Sequence, residues 1–191
     1  MAKKTARVVC ILDQTGSMSS CLEDTIGGFN TFLKEQKAQK GELKFSLTLF
    51  NSCEIEKRHV DEDIQKVKRL TKKNYVPACC TPLWDAVGQT ISELKDKKDI
   101  LVMILTDGLE NASKEYTSKA VKKLMGEREK KRGWKFIYLG VGLDDFGDAD
   151  RININVNMRA MVSSSSMYPT ASYYASEYRK GKDIKSVKEQ T

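Results

Sequence analysis

The 191-residue sequence has the length of one ordinary domain and enough apolar residues to bury a core. Hydrophobic residues make up 40% and charged residues 31% of the chain, a balance that excludes a disordered or fibrous protein. The formal net charge is +7, but the lysines are interleaved with Glu and Asp along the whole chain, which favours a solvated surface over a nucleic-acid interface. A basic nucleic-acid-binding protein stays open as an alternative.

The amino terminus indicates a cytoplasmic protein. Its apolar run between Val8 and Asp13 is shorter than the hydrophobic region of a secretory signal, and no small-residue cleavage site follows it. No other segment approaches the roughly 18 apolar residues that a membrane span needs. With the compact size, these features favour a bacterial or phage setting and no association with a membrane.

The cysteines form an odd set without the paired spacing of zinc sites: Cys10, Cys21, Cys53, Cys79 and Cys80. A bond between the adjacent Cys79 and Cys80 would strain the backbone, and an intracellular setting favours reduced thiols. We therefore expect buried or loop thiols. A redox role for Cys79 and Cys80 stays open.

Apolar runs predict strands, in chain order, at residues 7–12, 43–50, 54–60, 99–105 and 134–141. The runs 7–12, 99–105 and 134–141 are nearly continuous, as in strands that are buried on both faces of a parallel sheet. The run 43–50 alternates, which predicts a strand exposed on one face, and 54–60 is its expected hairpin partner.

The segments between these runs have helical spacing. Apolar positions recur three or four residues apart at Leu22, Ile26, Phe29 and Leu33, at Leu83, Val87, Ile91 and Leu94, and around Ala120, Leu124 and Glu127. Strand and helix therefore alternate. This alternation predicts an α/β protein with a doubly wound, mostly parallel sheet, helices on both faces and one antiparallel edge strand.

Toward the carboxyl terminus the pattern weakens. We expect a last edge strand at residues 151–158, a loop at Ser163 to Ser166, and a short helix at residues 171–179 before a frayed, charged tail. The predicted organisation is a main domain over residues 1–160. A Ser-rich loop, helix and tail over residues 161–191 then pack on or extend the same domain.

Side chains that carry oxygen follow the first predicted strand. In extended backbone alternate residues point to the same side, so Asp13, Thr15 and Ser17 are able to direct oxygens at one point. Gly16 relaxes the turn into the next helix. Hydroxyl residues at such a position also cap helices, so this loop alone leaves both roles open.

Two later loops carry similar groups. Thr81 stands at the expected N-cap of a helix whose first position is Pro82, so capping is again the alternative to ligand binding. Asp107 lies in the turn Thr106-Asp107-Gly108, which directly follows the strand predicted at 99–105. It is therefore expected in the crevice at the carboxyl end of the sheet, where open α/β folds bind ligands.

Together these loops resemble the metal-ion-dependent adhesion site of von Willebrand factor A domains, whose pattern is DxSxS, a distant Thr, and an Asp in a (T/S)DG turn. This chain carries DQTGS at 13–17, CTPLWDA at 80–86 and LTDG at 105–108, in the family's order. The resemblance covers roughly residues 7–158. It implies a Rossmann-like fold and a metal site formed by Asp13, Thr15, Ser17, Thr81 and Asp107.

Two features depart from the family's pattern. Cys79 and Cys80 stand where relatives usually carry Gly-Gly, which adds bulk and thiol chemistry beside the expected metal. Thr15 stands where Ser is commoner, and it keeps the hydroxyl, so the ligand is retained.

The implied ligands determine the chemistry expected of the site. Hydroxyls and carboxylates without His or Cys favour a hard ion, Mg²⁺ first, with Mn²⁺ or Ca²⁺ as alternatives. The resemblance implies a protein-interaction module and not an enzyme, in which the metal binds an Asp or Glu carboxylate of a partner protein. Nearby Glu110 and Asn111 are expected to be turn or capping residues.

A Mg²⁺-dependent phosphotransferase resembling haloacid dehalogenases is the enzymatic alternative. Asp13, Thr106 and the pair Asp144–Asp145 fit the order of that family's site residues. Thr15 counts against this alternative, because such enzymes normally have a second Asp there as general acid. Thr81 would also have no role.

Overall fold

The computed structural model describes residues 5–142, 147–152 and 159–184, with Arg159 described only in its backbone. The strands are β1 (Ala6–Asp13), β2 (Leu43–Phe50), β3 (Ile55–Asp63), β4 (Ile100–Thr106), β5 (Lys135–Val141) and β6 (Arg159–Val162). The α-helices are α1 (Leu22–Ala38), α2 (Leu83–Glu93), α3 (Ser118–Arg132), α4 (Gly147–Arg151) and α5 (Ser164–Arg179). Short 3-10 helices cover Gly16–Cys21 and Ile64–Lys66.

The described strands form one sheet in the order β3-β2-β1-β4-β5-β6. Every pairing is parallel except that of β2 with β3, which form an antiparallel hairpin at one edge. The chain leaves β1 toward β2 on one side and later returns to place β4 on the other. The carboxyl end of β1 is thus a topological switch point, where α/β sheets open a crevice. The predicted fold class is confirmed.

Helices cover both faces of the sheet. Phe45 of β2 packs against Phe29 and Phe32 of α1, and Thr48 of the same strand hydrogen-bonds Thr90 of α2. Residues 45 and 48 point to opposite faces, because side chains alternate along a strand. The two helices therefore lie on opposite sides. None of the helices in the described ranges is long and apolar enough to cross a membrane.

The prediction that β2 is exposed on one face is wrong. All of its residues are buried except the partly buried Lys44, because α1 covers one face and α2 the other. The polar residues that produced the alternating pattern are satisfied internally: Ser46 accepts a hydrogen bond from the Asp61 backbone at 2.9 Å, and Thr48 bonds Thr90 at 2.9 Å. The edge strand β3, by contrast, has no buried residue, and its residues are all partly or fully exposed.

The tetraserine segment is not a loop, since α5 begins at Ser164. Met167, Tyr168 and Ala171 lie on one side of this helix and are buried in the core, and this packing outweighs the low helix propensity of serine. The predicted helix at 171–179 is the second half of α5. The edge strand expected at 151–158 falls mostly on residues outside the described ranges; α4 ends at Arg151, and β6 pairs with β5 from Arg159. Residues 153–158 and the tail beyond 184 lie outside the described residues.

Helix α5 packs against α1, which joins the carboxyl-terminal segment to the core. Tyr168 meets Phe29 edge to face with ring centroids 6.2 Å apart, and the Gln36 amide donates to Ser172 at 3.2 Å. The division of the chain at residue 160 stays a prediction.

Candidate metal centre

The candidate site is formed where β1 and β4 end side by side. Leu12 pairs with Leu105, Asp13 is the last residue of β1, and Asp107 directly follows β4. Because the two strands are parallel, their carboxyl ends meet at the same edge of the sheet. The two carboxylates separated by more than ninety positions in the sequence therefore share one loop cluster.

Asp13 is fully buried and held on both carboxylate oxygens. Oδ1 accepts from the Thr15 amide at 2.7 Å, and Oδ2 accepts from the Thr106 hydroxyl at 2.5 Å. The Asp13 carbonyl also accepts from the Tyr75 hydroxyl at 2.6 Å. These contacts fix the orientation of the carboxylate before any ligand arrives.

A chain of hydroxyls joins the first loop to the third. The Thr15 and Ser17 hydroxyl oxygens lie 3.1 Å apart, and Ser17 donates to Asp107 Oδ1 at 2.7 Å. The 3-10 helix Gly16–Cys21 begins within this loop and turns Ser17 toward Asp107. Thr15 stands at the N-cap of that helix but makes no side-chain capping bond, so its hydroxyl is not used as a cap.

Thr81 brings the second loop to the same place. It is not the N-cap, because α2 starts at Leu83 and Pro82 occupies the cap position. Thr81 is only 4% exposed, and none of the hydrogen bonds among the described residues involves its hydroxyl. A hydroxyl that no protein group uses is free to bond a ligand or water.

Gly108 marks the small space onto which these oxygens face. A Cβ added at Gly108 would lie 3.1 Å from Thr81 Oγ1, 3.6 Å from Ser17 Oγ and 3.8 Å from Asp13 Oδ2. Side-chain oxygens of the first and second loops therefore border one volume that this glycine of the third loop leaves free. The structure brings Asp13, Thr15, Ser17, Thr81 and Asp107 together, while their role as metal ligands stays a prediction.

The donor set fits a hard divalent cation. It consists of carboxylates and neutral hydroxyls, the oxygen donors that Mg²⁺, Mn²⁺ and Ca²⁺ accept. In the described ranges no three His, Cys, Asp or Glu side chains converge in a group able to hold a metal. Any metal bound here would therefore depend on Thr15, Ser17 and Thr81 as well as on the two Asp residues.

Burial disfavours the charged forms of the two carboxylates in this site. Burial raises the pKa of Asp13 to about 6, against the hydrogen bonds from Thr106 and Thr15 that lower it, while the Asp107 charge raises it further. Burial also raises the pKa of Asp107, opposed by the hydrogen bond from Ser17. A bound cation would compensate both negative charges.

Residues outside the ligand set hold the second and third loops in position. The Glu110 carboxylate accepts from the backbone amides of Trp84, at the start of α2, and of Ala112 and Ser113. Asn111 Oδ1 accepts from the Thr81 amide at 2.8 Å. The prediction that Glu110 and Asn111 are turn or capping residues is confirmed. The hydrogen bond from the Thr106 hydroxyl to Asp13 was not predicted, although Thr106 adjoins Asp107 in the TDG turn.

The expectation of free thiols is wrong for two of the five cysteines. Cys53 and Cys79 form a disulfide, whereas Cys10 and Cys21 are buried thiols and Cys80 is an exposed one. The pairing joins positions 26 residues apart that the β2–β3 turn and the loop before α2 bring to the same edge of the sheet. Sequence spacing alone does not reveal such an approach.

Solved structures resemble the fold of this protein over nearly the whole chain. The von Willebrand factor domain of the type V pili tip protein Mfa5 from Porphyromonas gingivalis superposes with a TM-score of 0.70 at 12% identity, covering 100% of this chain and 99% of that one. A von Willebrand factor type A protein from Catenulispora acidiphila superposes with a TM-score of 0.64 at 11% identity over 92% of this chain. The chain has the von Willebrand factor type A fold.

Other von Willebrand factor A structures are parts of larger proteins. The pilus adhesin SpaC from Lactobacillus rhamnosus GG matches with a TM-score of 0.65 at 15% identity, over 95% of this chain and 31% of that chain. This chain likewise spans only 43% of the Catenulispora acidiphila protein. No family model and no curated protein sequence matches the chain. The likeness therefore concerns the von Willebrand factor A fold.

Proposed function

We propose that this chain is a metal-dependent protein-interaction module and not an enzyme. In this proposal Asp13, Thr15, Ser17, Thr81 and Asp107 hold a Mg²⁺ ion, which binds an Asp or Glu side chain of a partner protein. The observation that carries the proposal is the Thr81 hydroxyl, which bonds none of the described residues, beside Ser17 and Asp13 at the volume that Gly108 leaves free.

The composition of the site favours an outside carboxylate as the ligand. Three of the five candidate donors are neutral hydroxyls, so the two carboxylates supply no more negative charge than the divalent ion carries positive charge. Ser17 is exposed and Asp107 is partly exposed, which leaves the metal position open to solvent on that side. A carboxylate approaching from a partner would complete the coordination in place of water.

The rim of the site favours a protein over a small anion. Val76 and Leu109 are 56% and 50% exposed, and they are two of the four exposed large apolar residues in the described ranges. The Val76 carbonyl accepts from the Gln14 side chain, next to Asp13, and Leu109 follows Gly108 directly. Exposed apolar side chains grouped beside a polar site favour contact with a protein surface.

Binding is favoured over catalysis because the site has no imidazole base. The chain's single histidine, His59, lies in β3 opposite Leu47 and contacts Glu62 through Nδ1. Asp144 and Asp145, which the phosphotransferase alternative requires, lie outside the described residues. The cytoplasmic location and the bacterial or phage setting stay predictions from the sequence.

Calorimetric titration with MgCl₂ and MnCl₂ into chelator-treated protein tests the metal site. We expect saturable binding to the wild type and its loss in Asp13→Ala and Thr81→Ala. Thr31→Ala, at an exposed position of α1, is the matched control and should bind like the wild type. Equal binding by the wild type and both site variants would contradict the proposal.

The partner chemistry is tested with a panel of short peptides that present a central Asp or Glu beside an apolar residue. Peptides with Asn or Gln at the same position are the matched controls. We expect binding of the acidic peptides in Mg²⁺ and none in chelator, without hydrolysis of an aryl phosphate. Metal-dependent turnover of that phosphate would support the enzymatic alternative instead.

A further inference from the structure

We infer that the Cys53–Cys79 disulfide is a positioning element of the candidate metal centre, and that its reduction by a dithiol weakens metal binding. The inference rests on the proposed function, since it concerns the affinity of the same site. Both cysteines are exposed, in the turn after β2 and in the loop before α2. The bond therefore ties together two loops at the edge of the sheet where the site lies.

The backbone of Cys79 touches the first ligand loop. Its carbonyl accepts from the Gly16 amide at 3.0 Å, between the candidate ligands Thr15 and Ser17. A Cβ on Gly16 would lie 3.5 Å from this carbonyl, so the two loops are in close contact. Thr81 follows only two residues later. Movement of Cys79 would thus displace ligands on both sides of it.

Cys79 also has a backbone conformation that needs an external restraint. Its φ is +63°, in the left-handed region that residues other than glycine rarely adopt. Glycine adopts this conformation at little cost, because it has no Cβ. Cysteine does not adopt this conformation as freely as glycine does. The covalent bond to the neighbouring loop therefore holds the backbone of Cys79 in it.

The remaining links between these loops are hydrogen bonds near the surface. Ser52 donates its amide to the Cys80 carbonyl at 2.9 Å, and its hydroxyl accepts from the Cys80 amide at 3.0 Å. Ser52 and Cys80 are exposed, so water competes for both contacts. Thr81 is also held by Asn111 and by the Ala112 amide on its other side. We therefore expect loss of the disulfide to loosen chiefly the Cys79 side of the loop.

Reduction follows ordinary thiol–disulfide exchange. One thiolate of the dithiol attacks a sulfur of the disulfide and forms a mixed disulfide, releasing the other cysteine as a thiolate that takes up a proton. The second thiol of the dithiol then displaces the remaining cysteine and closes a new disulfide within the reductant. The reductant supplies both electrons, and Cys53 and Cys79 end as free thiols.

The test compares the oxidised Cys80→Ser protein, the same protein reduced with a dithiol that is then removed without air, and a Cys53→Ser/Cys79→Ser/Cys80→Ser variant. The Cys80→Ser background prevents exchange with the neighbouring thiol. In titrations with MnCl₂ we expect Kd to rise about tenfold on reduction, as when a group that supports metal ligands is lost. The triple variant should bind like the reduced protein and not respond to the dithiol.

A second measurement does not depend on metal. Lys72 and Lys73 lie exposed in the segment between the 3-10 helix Ile64–Lys66 and α2, so trypsin reports the mobility of this segment in metal-free protein. We expect faster cleavage there after reduction, with the rest of the chain equally resistant. Equal Kd values and equal cleavage rates in the oxidised and reduced forms would overturn the inference.

The two proposals fail in different ways. If the oxidised protein binds no metal but its loop becomes susceptible to trypsin on reduction, the proposed function fails and the positioning of the loop by the disulfide stands. If metal binds tightly in both redox states, the proposed function stands and the disulfide is not a positioning element. Alkylation that labels Cys53 and Cys79 in protein never exposed to a reductant would also overturn the inference.

Discussion

Asp13 is the residue whose surroundings constrain the site most. It is fully buried, and its two carboxylate oxygens accept hydrogen bonds from Thr15 and Thr106. Burial nevertheless raises its pKa to about 6, so the hydrogen bonds do not compensate for the loss of water. In metal-free protein the charged form of Asp13 is therefore a cost to folding.

This cost predicts a pH dependence of stability. The pKa of Asp13 rises from 3.8 to about 6 on folding, so its contribution to stability is present below about pH 4 and is lost as the pH rises through 6. In urea unfolding of metal-free protein, we expect Asp13→Asn to gain about 1 to 3 kcal/mol relative to the wild type between pH 4.5 and 7.5. Saturating Mg²⁺ should remove this gain. A constant difference across the range would contradict the assignment.

Gly108 is the second residue with a specific consequence. A methyl group at this position would lie 3.1 Å from Thr81 Oγ1, inside the expected metal volume. We expect Gly108→Ala to lower metal affinity at least tenfold, as loss of outer-shell support does, while changing the free energy of unfolding by about 1 kcal/mol or less. Calorimetric titration and urea unfolding measure the two effects.

Gly126→Ala is the matched control for this substitution. Gly126 lies in α3, and an added Cβ there meets nothing within 4 Å. The control should keep the wild-type affinity and gain about 0.5 to 1 kcal/mol of stability from helix propensity. If both variants bound metal equally well, Gly108 would not border the site.

At the scale of elements, the contact between α1 and α5 decides whether the carboxyl-terminal segment belongs to the folded unit. A Cβ on Gly28 would lie 2.4 Å from Tyr168 Cδ2, because the glycine lets the ring approach the backbone of α1. The ring also packs against Phe29. This contact was not predictable from the sequence, because the run of serines at the start of α5 resembles a linker.

We therefore expect Gly28→Ala to destabilise the protein by about 1 to 3 kcal/mol through overpacking against Tyr168. Gly27→Ala, whose added Cβ meets nothing within 4 Å, is the neighbouring control and should be neutral or slightly stabilising. Urea unfolding followed by tryptophan fluorescence measures both. Equal stability of the two variants would show that α5 does not pack closely on α1.

For the whole molecule, a metal bound at the switch point would couple metal binding to the stability of the fold. The candidate ligands come from loops after β1, before α2 and after β4, so a bound ion would connect elements that are distant along the chain. A ligand that binds only the folded state stabilises it by mass action.

Thermal unfolding should accordingly respond to divalent metal. At a Mg²⁺ concentration about 100 times Kd, we expect a stabilisation of about 2.7 kcal/mol, seen as a higher Tm that chelator reverses. Asp107→Asn should abolish most of this shift. A shift that was unchanged in this variant would indicate metal binding elsewhere on the molecule.

Much of the fold was predictable because it depends on local pattern. The continuous apolar runs of β1, β4 and β5 and the helical spacing of α1, α2 and α3 are properties of short segments, and the structure confirms them. The burial of both faces of β2 was not predictable. Its alternating pattern reports polarity, whereas the hydroxyls of Ser46 and Thr48 are satisfied by Asp61 and Thr90, which come from other elements.

Some features of the candidate site were likewise predictable from the sequence, and others were not. The sequence by itself determined the identity and order of the five oxygen-bearing residues, because each follows a strand or precedes a helix in a recognisable motif. Only the tertiary structure decided that the Thr81 hydroxyl bonds none of the described residues, that Thr106 holds Asp13, and that Cys53 pairs with Cys79. Each of these facts depends on atoms from distant segments that the assembled fold brings together. Such distances arise only when the sheet is assembled.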